Sequence, residues 1–541
     1  MPRRGEGRAS PLPAFAAESI DKEKGMAGMV AQNIKKVVLG EKLNIEQFVA
    51  VARYGAKVEF SQAFCRRVNR SRRLVEKWTD EGRVMYGVNT GFGALCTRVI
   101  SAEETEELQK NILLSHAVSV GEPLSIEETR ATMLMVLQNL GLGYSGVRLR
   151  VLEMYKEFLN RGLTPLAPGD GSVGYLAPEA HIALVLMGEG EAYVKGERMP
   201  AREALERVGL EPVTLSSKEG LALINGTTGA TGIGALALYD MINAVKSADV
   251  VGAMSLEVLK GSLRAFDERL MRVRPHEEQG KTAENVRMIL QDSEMARHYA
   301  RYRLQDALSL RSISQLHGAA KKTFFDALKT IETEMNSCCD NPILWPEGDD
   351  GEALSGGNPD SSYVGIEMDS ACIAATAVAK MSERRNYRLI NSRLSEYPDF
   401  LVKQAGLNSG LMIPQYTQAG LLNEMKILSH PATVDNIPTC ADQEDYVAMG
   451  YNAAKKARQV VNKWEYILAI ELLSVYQAHQ FADPALKPGR ASRAVLERVA
   501  LWVPPLTRDL QLYPLIQVLR DFIHSGELVR RVEEKVGKRL S

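Results

Sequence analysis

The chain has 541 residues, 45% of them hydrophobic, enough for two to four domains or one large helical body with a substantial core. A formal net charge of −1 and a pI near 6.8 leave no electrostatic footprint for nucleic acid. No run of 18 apolar residues suggests a membrane span, and six scattered cysteines without a CxxC pair argue for a reducing cytoplasm and against a disulfide framework or a zinc site.

In chain order, residues 1–25 are basic and polar at the start with no apolar segment behind, which reads as a tail and not as a targeting signal. Residues 40–165 mix short segments with helices. Over Glu103 to Ser119 the apolar positions Leu108, Ile112, Leu113 and Ala117 recur at helical spacing, and 126–160 continue in that style. Pro168-Gly-Asp-Gly-Ser-Val-Gly174 is turn chemistry, and Leu176-Ala-Pro-Glu-Ala-His181 opens an apolar helix. Residues 190–200 alternate around Lys195-Gly196, a small hairpin. From about 230 onward long helical runs without proline are expected over Leu236–Leu259, Met288–His317, Ala319–Met335, Val364–Arg385 and Val447–Gln480. The last contains Ile467-Leu-Ala-Ile-Glu-Leu-Leu473, apolar on most sides, so it must be buried among other helices. The expected fold is mainly α: a long central helical bundle with a smaller mixed N-terminal region. The expected divisions are a disordered tail over 1–25, an N-terminal domain over 26–230, a central bundle over 231–480 and a C-terminal helical segment over 481–541.

Several motifs invite a functional reading beside a plainer one. Gly226-Thr-Thr-Gly229-Ala-Thr-Gly232-Ile-Gly234 has no following lysine, so close helix packing is favoured over a phosphate loop. Asn225 before it is either a helix cap or a functional amide. Tyr86-Gly-Val-Asn-Thr-Gly-Phe-Gly93 is either an ordinary turn or a mobile loop carrying a tyrosine as lid and proton carrier. Gln305 and Arg311 fall in one expected helical run, where a buried arginine would suit a carboxylate. His116 by default is a satisfied core histidine, and Gln443-Glu-Asp-Tyr446 an acidic helix start.

Taken together these pieces resemble the aromatic amino acid ammonia-lyase and 2,3-aminomutase family, which includes histidine, tyrosine and phenylalanine ammonia-lyases. The matching text is Tyr86 to Gly93, Leu108 to His116, Gly171-Ser-Val-Gly174, Leu176-Ala-Pro178, Glu219 to Thr227, Gln305-Asp306 with Ser309-Leu-Arg311, Asp340-Asn-Pro342, Ser355-Gly-Gly-Asn358 and Gln443-Glu-Asp445. The motifs keep the family's order over roughly residues 35 to 480.

The resemblance implies an Ala-Ser-Gly tripeptide between Gly174 and Tyr175 that cyclises to a methylidene-imidazolone (MIO). This electrophile takes up the substrate's amine as a covalent adduct, so that an α,β-unsaturated acid and ammonia result. The sequence passes directly from Gly174 to Tyr175. Either the tripeptide is truly absent, leaving a non-catalytic scaffold, or the ring stands there as one non-standard residue outside the 541 letters. The survival of every surrounding motif favours the ring. No dissociable cofactor and no metal are implied.

By the same resemblance Tyr86 is the base, under a lid loop that includes Gly91, Phe92 and Gly93. Arg311 clamps the substrate carboxylate. Asn225 and Gln305 orient the amine, the ring or the carboxylate, His116 and Glu444 face the substrate side chain, and Asn341 and Gln443 join them in binding substrate. Three departures from the family stand out. Tyr175 replaces an acid, Leu308 replaces an active-site tyrosine, and Pro359 replaces a phenylalanine. A hydroxyl from Tyr175 or Tyr363 is a candidate substitute for the one missing at Leu308. The pair Ser115-His116 with Gln443-Glu444 favours a histidine- or tyrosine-like ring over phenylalanine. A 2,3-aminomutase is the alternative within the family. The family's assembly is a homotetramer with shared active sites.

Overall fold

The computed structural model describes residues 30–83, 85, 90 and 104–541. Tyr86 and the lid residues Gly91, Phe92 and Gly93 lie outside the described residues, as does the 1–25 tail.

The centre of the molecule is three long helices, Thr228–Val258, Ser362–Ile390 and Gly450–His479. They run parallel. A Cβ on Gly234 would stand 3.3 Å from Met368 Sδ, and one on Gly252 would stand 3.5 Å from Arg385 Cζ, so the first two share a direction. A Cβ on Gly365 would stand 3.0 Å from Gly450 Cα, and Arg385 pairs with Glu471, which gives the third the same direction. All three amino ends therefore lie together. The Ile313–Glu334 and Met412–Leu428 helices pack around them, as does the C-terminal Tyr513–His524 helix.

Ile467 to Leu473 are fully buried, as the apolar run requires. The one charge in that run, Glu471, accepts from Arg385 Nε and Nη2 at 2.6 and 2.9 Å and from Ser255 Oγ at 2.6 Å. A second buried cluster joins Asp249 to His317, Lys321 and Asn285 at 2.8, 2.5 and 2.8 Å. Buried charges paired in this way add little net stability but are costly to separate.

The N-terminal region is mixed, as expected. Lys36–Leu39 pairs in parallel with Lys57–Phe60, and Val120–Pro123 pairs antiparallel with Pro168–Asp170. Leu163–Pro165, Glu191–Val194 and Glu197–Pro200 form a three-stranded sheet. Its hairpin turns at Lys195-Gly196, where φ values of 51° and 83° match the tight two-residue turn that follows strand twist. The Ile126–Gly141 helix starts at a capping box, Ser125 with Glu128.

Two expectations fail locally. The run Met288–His317 is not one helix. Glu277–Leu290 ends, Glu294–His298 starts at a Ser293 cap, and regular helix returns only at Leu308–Arg311 and Ile313–Glu334. The intervening chain is held by tertiary bonds instead. Arg303 Nη1 donates to the Leu259 carbonyl at 2.7 Å, and Asp306 accepts from the Ser262 amide at 2.7 Å, so this segment closes the carboxyl end of the Thr228–Val258 helix. Gln305 is thus exposed on irregular chain, not on a helix. The Gln443–Tyr446 segment is likewise no helix start: Thr439 pairs with Glu444 in an isolated bridge, and the helix begins at Gly450. Among the described residues no helix is long and apolar enough to cross a membrane.

Candidate active site

The glycine turn at Gly174 sits where the three helix amino ends meet. Met449 N, just ahead of the Gly450–His479 helix, donates to Val173 O at 3.0 Å. A Cβ on Gly174 would lie 2.8 Å from Ser361 Oγ, at the start of the Ser362–Ile390 helix. Glu179 Oε1 accepts from Gly229 N and Thr228 Oγ1 at 2.7 and 2.9 Å, at the start of the Thr228–Val258 helix. Each helix end carries roughly half a positive charge in unpaired amides. At the Thr228–Val258 helix Glu179 already takes the first amide; the other two ends favour negative charge at the turn, against the nearby carboxylates of Glu444 and Asp360.

Asn225 belongs to this place. Leu176 N donates to Ile224 O at 3.1 Å, setting Asn225 beside the Gly174–Tyr175 link. Its Nδ2 donates to Asn341 O at 2.7 Å and to Asp340 Oδ1 at 3.3 Å. It does not cap the following helix, whose N-cap is Thr227. The glycines behind it lie inside that helix as packing points: a Cβ on Gly232 would stand 3.0 Å from the Ala131 carbonyl carbon. This is the packing reading of the motif, not a phosphate loop. Asn341 Oδ1 accepts from Gly356 N at 2.8 Å, which ties the Ser355–Asn358 motif to the same place.

Tyr175 is half-buried. Burial, then the nearby carboxylates of Glu444 and Asp360, push its phenol up to about 12. It therefore stays protonated at neutral pH, fit to donate a hydrogen bond and unfit to act as a base. Glu444 Oε2 and Ser361 Oγ are buried without a hydrogen-bond partner among the described residues. Pro359 precedes Asp360 and Ser361 on this same segment, and Gln443 is exposed beside Glu444.

His116 ends the Thr105–His116 helix, which packs on Glu179–Leu184 and Glu219–Ala222. It is half-buried, not a core residue, and its Nδ1 bonds Ser115 Oγ at 3.0 Å. Burial lowers its pKa, so the imidazole is held neutral, able to donate at one nitrogen and accept at the other.

Gln305, Leu308 and Arg311 are elsewhere in the chain. Arg311 Nε donates to Asp306 O at 3.0 Å. The neighbouring Ile313 lies against Gly252 on the Thr228–Val258 helix. Gly252 is 24 residues beyond Thr228 (252 − 228), about 36 Å along the helix at 1.5 Å per residue. Within one chain, then, Arg311 and the Gly174 turn stand at opposite ends of the bundle. Leu308 is 63% exposed and Tyr363 is 73% exposed.

No motif singled out Lys218 or Ser361. Lys218 is fully buried, in left-handed backbone (φ 72°), and its Nζ donates to Asp340 Oδ2 at 2.8 Å. Only the Asp340-Asn341-Pro342 motif hinted at its partner.

Comparison with known proteins makes this mainly helical chain, with its turn at convergent helix ends, a carbon–nitrogen lyase. The family model for aromatic amino acid lyases matches residues 43–500, and the chain belongs to that family. It is 45% identical over 508 residues to the histidine ammonia-lyase of Symbiobacterium thermophilum, covering 93% of this chain and 99% of that one. Among solved structures it resembles histidine ammonia-lyase from Trypanosoma cruzi, with TM-score 0.86, 35% identity and coverage of 92% and 95%. It also resembles tyrosine aminomutase from Streptomyces globisporus, with TM-score 0.89, 33% identity and coverage of 94% and 100%.

Proposed function

We propose that the protein eliminates ammonia from an aromatic L-α-amino acid with a polar ring, histidine first, giving the α,β-unsaturated acid. The observation that carries this reading is the Gly174 turn at three helix amino ends. Around it, Ser361 Oγ and Glu444 Oε2 lack hydrogen-bond partners among the described residues, and Asn225 is fixed beside the link to Tyr175. These residues fit an MIO between Gly174 and Tyr175, held by the helix-end amides, with Asn225 beside it to contact the substrate. That ring supplies an electrophilic carbon for the substrate's amine.

The chain's own residues do the remaining work. Neutral His116 and the free Glu444 oxygen bond the polar ring of the substrate, and an apolar ring would leave both unpaired. Tyr175 donates from its protonated phenol in place of the tyrosine missing at Leu308. Tyr86 removes the β-proton while its loop excludes water. Arg311 clamps the carboxylate, but it must come from another subunit, because in its own chain it is about 36 Å of helix away. A homotetramer with shared sites meets this need. The apolar Tyr363, Ile366 and Ile373, with Ile413, Tyr416 and Ile427 on the Met412–Leu428 helix, are exposed on one chain and available as contacts.

Purified protein given L-histidine, L-tyrosine and L-phenylalanine separately should form the acrylate from histidine fastest, read by its ultraviolet absorbance and ammonia release. Acrylate from phenylalanine alone would defeat the polar-ring reading. The likeness to a tyrosine aminomutase makes β-amino acid the product to look for in the same mixtures. Tyr175→Phe should lower kcat about 10- to 100-fold, the loss of one hydrogen bond to a charged group. An unchanged rate would remove Tyr175 from the mechanism.

A further inference from the structure

Lys218 and Asp340 form an ion pair with both side chains fully buried. Such a pair is poor evidence for stability, since apolar residues of similar volume do as well. Lys218 also holds a left-handed backbone that a side chain disfavours (φ 72°, ψ −22°). Both features point to a positional role.

The remaining bonds of Asp340 indicate what is positioned. Oδ2 takes Lys218 Nζ at 2.8 Å, and Oδ1 takes the Asn341 amide at 2.7 Å and Asn225 Nδ2 at 3.3 Å. A carboxylate paired with an ammonium only accepts, and so does the Asn341 carbonyl, 2.7 Å from the same Nδ2. Both hydrogens of the Asn225 amide are thus committed. A flipped amide would set its oxygen against two acceptors. Oδ1 is turned away from the pair and makes no hydrogen bond among the described residues.

We propose that Lys218 and Asp340 are positioning residues that lock the Asn225 amide with its oxygen free, so that Asn225 recognises a hydrogen-bond donor, the amino group of the substrate, and not its carboxylate. This rests on the reading above that Asn225 contacts substrate. It assigns that contact a sign, and it makes a buried pair outside the contact surface a determinant of amine recognition.

The test uses the full-length protein with two probes, histamine, which lacks the carboxylate, and 3-(imidazol-4-yl)propionate, which lacks the amine. Their affinities are read by calorimetry. Asn225→Ala should weaken histamine about tenfold or more and leave the propionate within about twofold. Asp340→Asn should reproduce this selective loss, because an amide there lets Asn225 turn over. The double variant Asp340→Asn/Asn225→Ala should lose no more than either single one. Lys218→Arg should retain histamine affinity. If Asp340→Asn alone does not fold, the charge-neutral Lys218→Met/Asp340→Asn carries the comparison with the same expectation. General loosening of the site would weaken both probes together, and that result would overturn the proposal. So would a loss confined to the propionate, which would leave Asn225 as a substrate contact of the opposite sign. Asn225→Ala binding both probes as the wild type does would overturn the substrate-contact reading itself. Wild-type protein that binds neither probe would overturn both.

Discussion

Tyr86→Phe is expected to lower kcat by about two to four powers of ten while changing KM far less, the loss that follows removal of a positioned general base. The β-hydrogen of an α-amino acid is not acidic enough to leave unaided, and the proposed mechanism gives its removal to Tyr86. A free phenol titrates near 10, so the site must favour the phenolate. On the proposed mechanism the helix amino ends at the Gly174 turn supply positive potential for that phenol. Tyr175 stands under the opposite influence, with burial and the carboxylates of Glu444 and Asp360 holding its proton. On the proposed mechanism two tyrosines divide the work, Tyr86 as base and Tyr175 as donor. In wild type, kcat/KM should rise with pH as the base loses its proton, and Tyr86→Phe should flatten that limb. Binding of 3-(imidazol-4-yl)propionate should survive, which shows that the site is still assembled. A variant with the wild-type rate and pH profile would remove Tyr86 from the role.

The largest stability effect is expected at Arg385. Arg385→Met leaves the Glu471 carboxylate fully buried with, among the described residues, only Ser255 and Ser382 to donate to it. Removing one partner of such a pair costs about 3–5 kcal/mol. The lower denaturation midpoint should be visible by circular dichroism. Arg385→Met/Glu471→Leu removes both charges and should recover most of the loss, because an apolar pair at the centre of three helices needs no donors. A single variant as stable as wild type would mean that water or neighbouring groups already solvate Glu471.

The long helices could be read from the sequence because burial on all sides writes itself as nearly continuous apolar text, as at Ile467 to Leu473 with its single charge at Glu471. The hairpin at Lys195-Gly196 could be read because its turn needs residues that tolerate positive φ. The interruption between Met288 and His317 could not, because Arg303 and Asp306 are held by Leu259 and Ser262, more than forty positions away. The order of motifs pointed to the site, and Gly174, Tyr175, Asn225 and Asn341 do come together. The same order says nothing of distance, so it hid that Arg311 lies at the far end of the bundle from Gly174. Lys218 had no signal at all: one lysine in a polar turn looks like any other until Asp340 is placed against it.

The most direct measurement is the mass of the proteolytic peptide that spans Val173 to Leu176, taken from purified, folded protein with its near-ultraviolet spectrum. The expected result is an insert between Gly174 and Tyr175 equal to Ala-Ser-Gly less two waters, with the absorbance of a conjugated ring. A peptide in which Gly174 is joined directly to Tyr175, from protein that nonetheless folds and assembles, would contradict it and leave a helical assembly without an electrophile.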